Sequence, residues 1–289
     1  MDSVAGLLAE GRGRLASRSP EPALDTEVLL ARAIGKDRTF LFTWPEYQPP
    51  EDQCQIFRDW LERRASGEPV AYLTGCREFF GHEFLVSPET LIPRPDTELL
   101  VEVVLQLVGQ PDQPLRALDM GTGSGAIAIS LALACPAWSV LATDSSLATL
   151  ELAERNAQRL RADNVSFCQS DWYAQLQQKD FHVIVSNPPY IAEADRHLEQ
   201  GDVRFEPRRA LSAGPDGLAD LRTIIGDAPG YLGPGGLLAL EHGYDQAAAV
   251  RDLLKARGFV GIESHRDLAG HERVSCGFIQ RAPGEDRAQ

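Results

Sequence analysis

Cysteine is scarce in this chain and follows no pattern. The five (Cys54, Cys76, Cys135, Cys168 and Cys276) are scattered, odd in number and nowhere spaced as C-x-x-C. Neither a disulfide framework nor a zinc site is indicated, and no metal is expected. Positive charge is short as well. The formal net charge is −14, and before Arg94 ten Lys and Arg face fifteen Asp and Glu, so neither half is a basic module. Without a broad basic footprint, direct binding of DNA or RNA is disfavoured, while a basic protein partner remains permitted. No apolar run approaches the ~18 residues of a membrane span. Met1-Asp2-Ser3-Val4 lacks a basic region followed by an apolar core, so no signal peptide is expected. The expectation is a cytoplasmic monomer with no membrane association.

What is present suffices for a substantial core: 289 residues, 43% of them hydrophobic, a length that suggests two domains. Residues 1–73 read as a small helical domain. Val4, Leu7, Leu8 and Leu15 form one apolar stripe; Leu24, Val28, Leu29, Leu30 and Ile34 form the next, ended by Gly35. Pro50-Glu51-Asp52 opens a third helix carrying Ile56, Trp60 and Leu61. These stripes suit bundle core, and no acid–base constellation lies among them. Residues 74–94 form a linker in which Glu78 to Val86 alternates around Gly81 as a β-hairpin. Pro93 and Pro95 enforce extended backbone, and Asp96 or Thr97 can cap the helix through Leu99, Leu100, Val103 and Val104. Arg94, in this stiff stretch, can either pair with an acidic neighbour or line the site. In residues 95–289 strands and helices alternate, which predicts a doubly wound, seven-stranded Rossmann-like α/β domain. Ala282 to Gln289 reads as a frayed tail.

Three strand ends in that domain match parts of one nucleoside. Asp119-Met120-Gly121-Thr122-Gly123-Ser124-Gly125 lies between the first strand and its helix, where glycines permit a tight turn and the helix start offers free N–H groups. The spacing is G-x-G-x-G, not the G-x-G-x-x-G of dinucleotide folds, which disfavours a dehydrogenase. The next strand ends in Asp144, where a carboxylate can take both hydroxyls of a ribose. A third is followed by Asp171 and Trp172, a carboxylate for an adenine amino group and an indole to stack on its ring. Singly, each has a plain alternative, Asp144 as a helix cap and Trp172 as ordinary core.

A fourth strand, around Val183-Ile184-Val185, stops at Asn187-Pro188-Pro189-Tyr190. Two successive prolines cannot donate to a ladder and lock the strand end. The Asn187 side-chain oxygen and the Pro188 carbonyl are two acceptors for the two N–H bonds of an –NH₂ group, and Tyr190 offers a π-face. Such a clamp suits an amide nitrogen, a poor nucleophile whose lone pair must be aimed while positive charge grows on it.

The glycine loop with Asp144 resembles class I S-adenosylmethionine-dependent methyltransferases, and Asn187 to Tyr190 is similar to the amino-methyltransferase signature. Gly67-Glu68-Pro69-Val70-Ala71-Tyr72-Leu73-Thr74-Gly75, Ile92 to Glu98, Asn187 to Ile191 and Phe205-Glu206-Pro207-Arg208-Arg209-Ala210-Leu211 together resemble the HemK/PrmC family. Those are peptide chain release factor glutamine N5-methyltransferases, and the likeness runs to about Val274. The resemblance implies S-adenosylmethionine as cofactor and, as substrate, the glutamine of the Gly-Gly-Gln motif in class-1 release factors. It also implies a docking role for the helical domain. On this basis Asn187, Pro188 and Tyr190 are the expected catalytic residues, with Pro189 and Arg94 joining them in substrate binding. Asp119, Gly121, Thr122, Gly123, Ser124, Gly125, Asp144, Asp171, Trp172 and Asn187 are the expected cofactor residues. The alternatives are a glutamine methyltransferase of a ribosomal protein, a DNA adenine-N6 methyltransferase and a non-catalytic nucleotide-binding adaptor.

Overall fold

The computed structural model describes residues 2–109 and 112–280, so the tail expected from Ala282 lies outside the described residues. The chain divides into two compact units, one of Met1–Cys76 with Glu199–Phe205, the other of Arg77–Leu198 with Glu206–Gln289.

The smaller unit is helical: α1 (Val4–Leu15), α2 (Pro22–Ala33), α3 (Arg38–Thr43), α4 (Glu51–Ala65) and α5 (Val70–Thr74). Ser3 caps α1 by accepting from the Gly6 amide at 3.2 Å, and Asp37 caps α3 by accepting from Phe40 at 2.7 Å. Gly11 lets α1 and α2 close together, since a Cβ there would lie 2.4 Å from Thr26 Cγ2. Val4, Leu7, Leu15, Leu29, Leu30, Phe57 and Leu61 are fully buried between the helices. Leu24 and Ile56, expected in the apolar stripes, instead face solvent at 37% and 42% exposure. Arg64 is buried among these helices and meets Asp25 and Asp202 at 2.7 Å each. A guanidinium so buried needs both carboxylates, and its pair with Asp202 ties Glu199–Phe205 into this unit.

The larger unit opens with the expected hairpin, β1 (Cys76–Phe79) and β2 (His82–Leu85), then α6 (Pro95–Val108). The N-cap of α6 is Arg94, not Asp96 or Thr97. Pro95 occupies the first helical position, where its fixed φ and missing N–H cost nothing, and this moves Asp96 and Thr97 inside the first turn. Alternation follows: β3 (Arg116–Met120), α7 (Ala126–Ala134), β4 (Ser139–Asp144), α8 (Leu147–Leu160), β5 (Val165–Gln169) and β6 (Phe181–Ser186). After an excursion of short 3₁₀ turns come α9 (Ala219–Asp227), β7 (Leu232–Glu241), α10 (Ala247–Ala256), β8 (Val260–Arg266) and β9 (Glu272–Phe278).

The seven-stranded sheet has the order β5-β4-β3-β6-β7-β9-β8. Strands β5 to β7 run parallel, and β9 is antiparallel to both its neighbours. Ala117, Leu118, Val183 to Val185 and Leu237 to Leu240 have no exposed surface, as central strands covered by helices on both faces require. One apolar cluster unites α6 and α7 with one sheet face, and a second unites α9 and α10 with the other. Chain order reverses between β3 and β6, the topological switch point at whose carboxyl edge open α/β sheets bind ligands.

Candidate active site

Register brings the motifs to one edge. Met120 on β3 pairs with Thr143 on β4 and with Ser186 on β6, while Thr143 pairs with Cys168 on β5. The residues just beyond these pairs therefore leave the sheet together. A pocket there is lined by Gly121, Gly123, Asp144, Asp171, Trp172, Asn187 and Pro189, with Glu89, Arg209 and Asp220 among its other walls.

The glycine loop folds as its composition requires. Gly121, Gly123 and Gly125 have φ of 68°, 58° and 84°, a region that side chains with a Cβ rarely enter. The Thr122 amide donates to the Thr143 carbonyl at 2.8 Å, and the Gly123 amide to Asp144 Oδ2 at 3.2 Å. Only Gly121 and Gly123 of this loop line the pocket; Asp119, Thr122, Ser124 and Gly125 do not. Asp119 is buried behind it, accepting from the Thr122 hydroxyl at 2.6 Å and the Ala128 amide at 3.1 Å, and burial pushes its carboxyl up to about 7. Its place is inside the turn, fixing the loop to the start of α7.

Asp144 faces the pocket from the end of β4. Burial raises its pKa, opposed by backbone N–H bonds from Ser146 and Gly123. Asp171 and Trp172 follow β5, and Trp172 takes the left-handed φ of 47°, a costly conformation for a bulky residue and one that marks functional sites. Asp220 shares this pocket, its pKa raised by burial and held back by the neighbouring Trp172 indole. Two carboxylates, Asp144 and Asp171, and the flat indole of Trp172 thus share one pocket. That donor set fits an adenosine-bearing cofactor.

Beyond β6 the chain is held from several sides. Asn187 and Pro189 line the pocket, whereas Pro188 is buried and Tyr190 half-buried behind them. Asn187 Nδ2 donates to Thr97 Oγ1 at 3.1 Å. The Tyr190 hydroxyl donates to Glu241 Oε1 at 3.2 Å, and its carbonyl accepts from Gln246 Nε2 at 2.9 Å. Burial raises the Tyr190 pKa, and pushes that of Glu241 up to about 7. Arg94 does not line the pocket; it pairs with the buried Glu206, which also accepts from the Ile92 amide at 3.1 Å.

Four side chains near the site were not given these places by the sequence reading. Thr97 and Glu241 stand behind the tetrapeptide, and Arg209 and Asp220 line the pocket. Arg209 falls in the Phe205 to Leu211 motif, and Glu241 is an acid at the carboxyl end of a buried strand; those were the available signals.

Comparison with known proteins shows the family. Residues 6–75 match the model of the PrmC N-terminal domain, and residues 95–204 that of the methyltransferase small domain. The chain is 52% identical to the release factor glutamine methyltransferase of Pseudomonas aeruginosa, over 90% of its own length and 93% of that protein's. Its identity to the Escherichia coli protein of the same description is 48%, with 90% and 93% covered. The crystal structure of a methyltransferase from Pyrococcus furiosus superposes with a TM-score of 0.53 at 20% identity, covering 78% of this chain and 99% of that one, which is a likeness of fold.

Proposed function

This chain belongs to the family of release factor glutamine methyltransferases, and from that premise we propose how its site works and on what. It is a protein-glutamine methyltransferase. Its substrate is the glutamine of the Gly-Gly-Gln motif in class-1 release factors, methylated on the side-chain amide nitrogen, N5. S-adenosylmethionine fits the pocket's donor set: Asp144 would hold the ribose hydroxyls, Asp171 the adenine amino group and Trp172 the adenine face, with Gly121 and Gly123 allowing close approach. When bound, it supplies a methyl group on a sulfonium, an electrophilic carbon.

The chain's own residues handle the amide. Asn187 Oδ1 and the Pro188 carbonyl accept its two N–H bonds, which turns the nitrogen lone pair toward the cofactor pocket. Both acceptors are neutral and fixed by the strand end, so they stabilise positive charge as it develops on nitrogen without any reorganisation. The Tyr190 ring covers the amide face. The surplus proton then leaves to solvent, with no general base required. In this reading it works as a monomer in the cytoplasm, where release factors act. The helical unit docks the release factor, and its exposed Phe42 and Trp44 offer contact area of the kind partner surfaces use.

The observation that supports this assignment is the register of Met120 with Ser186, which brings the glycine loop and Asn187 to one sheet edge. Incubation with labelled S-adenosylmethionine and a class-1 release factor, followed by mass spectrometry, is expected to place the label on the Gly-Gly-Gln glutamine. Label on DNA or on a ribosomal protein, with none on the release factor, would overturn the assignment.

A further inference from the structure

Asn187 has two ends, and only one serves a carboxamide substrate. The substrate's N–H groups need Oδ1; with the amide turned over they would meet Nδ2, another donor. Something in the fold has to choose between these orientations. Asn187 Nδ2 donates to Thr97 Oγ1 at 3.1 Å, but a hydroxyl can donate or accept, so Thr97 alone does not decide. Glu241 does. Its carboxylate accepts from the Tyr190 hydroxyl at 3.2 Å, and the Thr97 side chain stands close enough to it to oppose the rise that burial gives its pKa. An ionised carboxyl can only accept, so the Thr97 proton points to Glu241 and the Thr97 lone pairs are left for Asn187.

We propose that Thr97 is a positioning residue for methyl transfer, and that Glu241 behind it sets the direction of the hydrogen-bond chain Asn187 to Thr97 to Glu241. One buried carboxylate thereby turns Asn187 Oδ1 toward the substrate and steadies the Tyr190 ring. Thr97 and Glu241 are 4% and 1% exposed and neither lines the pocket, so they act through Asn187 and Tyr190, not on the ligands. This gives the Ile92 to Glu98 stretch a purpose: Pro95 starts α6 early enough to place Thr97 in its first turn, facing the strand end. It rests on the assignment of Asn187 as the amide acceptor.

The test compares Thr97→Val, Thr97→Ser and Asn187→Ala in single-turnover methylation of a release factor, with calorimetry of S-adenosylhomocysteine on each. Valine keeps the shape of threonine and removes its hydroxyl; serine returns the hydroxyl. Thr97→Val should slow transfer about 10- to 30-fold, the worth of one well-placed hydrogen bond, with cofactor affinity within about twofold of wild type. Thr97→Ser should recover most of the rate. Wild-type transfer in Thr97→Val overturns the inference, as does equal slowness of the serine variant or a loss of cofactor affinity matching the loss of rate. If Asn187→Ala is inactive while Thr97→Val is not, only the positioning role fails and the amide clamp stands. If Asn187→Ala keeps its rate, the clamp fails and the positioning role with it.

Discussion

Ser186 Oγ donates to the Met120 carbonyl at 2.7 Å, joining the last residues of two parallel strands just before each turns into a different part of the site. Gly121 follows one and Asn187 the other, so this one buried bond ties the glycine loop to the Asn187-Pro188-Pro189-Tyr190 turn. Ser186→Ala should lower stability by about 1 kcal/mol and weaken both cofactor binding and turnover. Chemical denaturation and calorimetry would check it; a variant that loses stability while keeping both activities intact would separate the bond from function.

Asp144→Ala should raise the dissociation constant for S-adenosylhomocysteine at least about tenfold, since a charge-assisted bond to a hydroxyl is lost. Asp144 also accepts from the Gly123 and Ser146 amides, so part of the loss comes through the loop itself. Calorimetry on Asp144→Ala beside Asp144→Asn, which keeps an acceptor oxygen, divides the two contributions.

Gly217→Ala tests the support beneath Tyr190. Gly217 has φ of 71°, and a Cβ there would lie 2.3 Å from the Tyr190 carbonyl oxygen, so that backbone must shift. The expected result is a stability loss of about 1–3 kcal/mol and a fall in turnover with cofactor affinity largely kept.

The pH dependence has a definite sign. Burial pushes Glu241 up to about 7, opposed by hydrogen bonds from Thr97 and Tyr190 and by Arg273, and reinforced by Asp96. The folded protein thus holds this proton more tightly than the unfolded chain, where the ordinary value is 4.5. Its contribution to stability is complete below that ordinary value and is lost as pH rises through 7. Asp119, also at about 7, acts in the same direction. Stability should therefore fall between about pH 4 and pH 7, and Glu241→Gln should reduce that fall by on the order of 3 kcal/mol. Turnover should move the other way, rising through pH 7 as the carboxylate forms. Denaturant titrations at the two pH values would read the first, and a rate profile the second.

What could be seen in the sequence was local. Asn187-Pro188-Pro189-Tyr190 carries its chemistry and its rigidity in four adjacent residues, and the glycine loop is equally compact. Long buried runs such as Val183 to Val185 announced the parallel strands. Thr97 and Glu241 could not be seen in this way, because their partners Asn187 and Tyr190 lie 90 and 51 residues away and meet them only once the sheet is assembled. Arg94 finds Glu206 across 112 residues for the same reason. Asp119 looked like a ligand because it adjoins the glycines, yet the turn directs its carboxylate inward to Thr122 and Ala128. The helices α3 and α5, with 6 and 5 residues, are too short for a 3.6-residue period to register.

The most direct measurement is a crystal structure of the enzyme with S-adenosylhomocysteine and a release factor bound. The glutamine amide nitrogen should lie about 3 Å from both Asn187 Oδ1 and the Pro188 carbonyl, with Asn187 Nδ2 still on Thr97. An ordered glutamine held by other groups, with that acceptor pair facing solvent or turned away, would contradict the clamp.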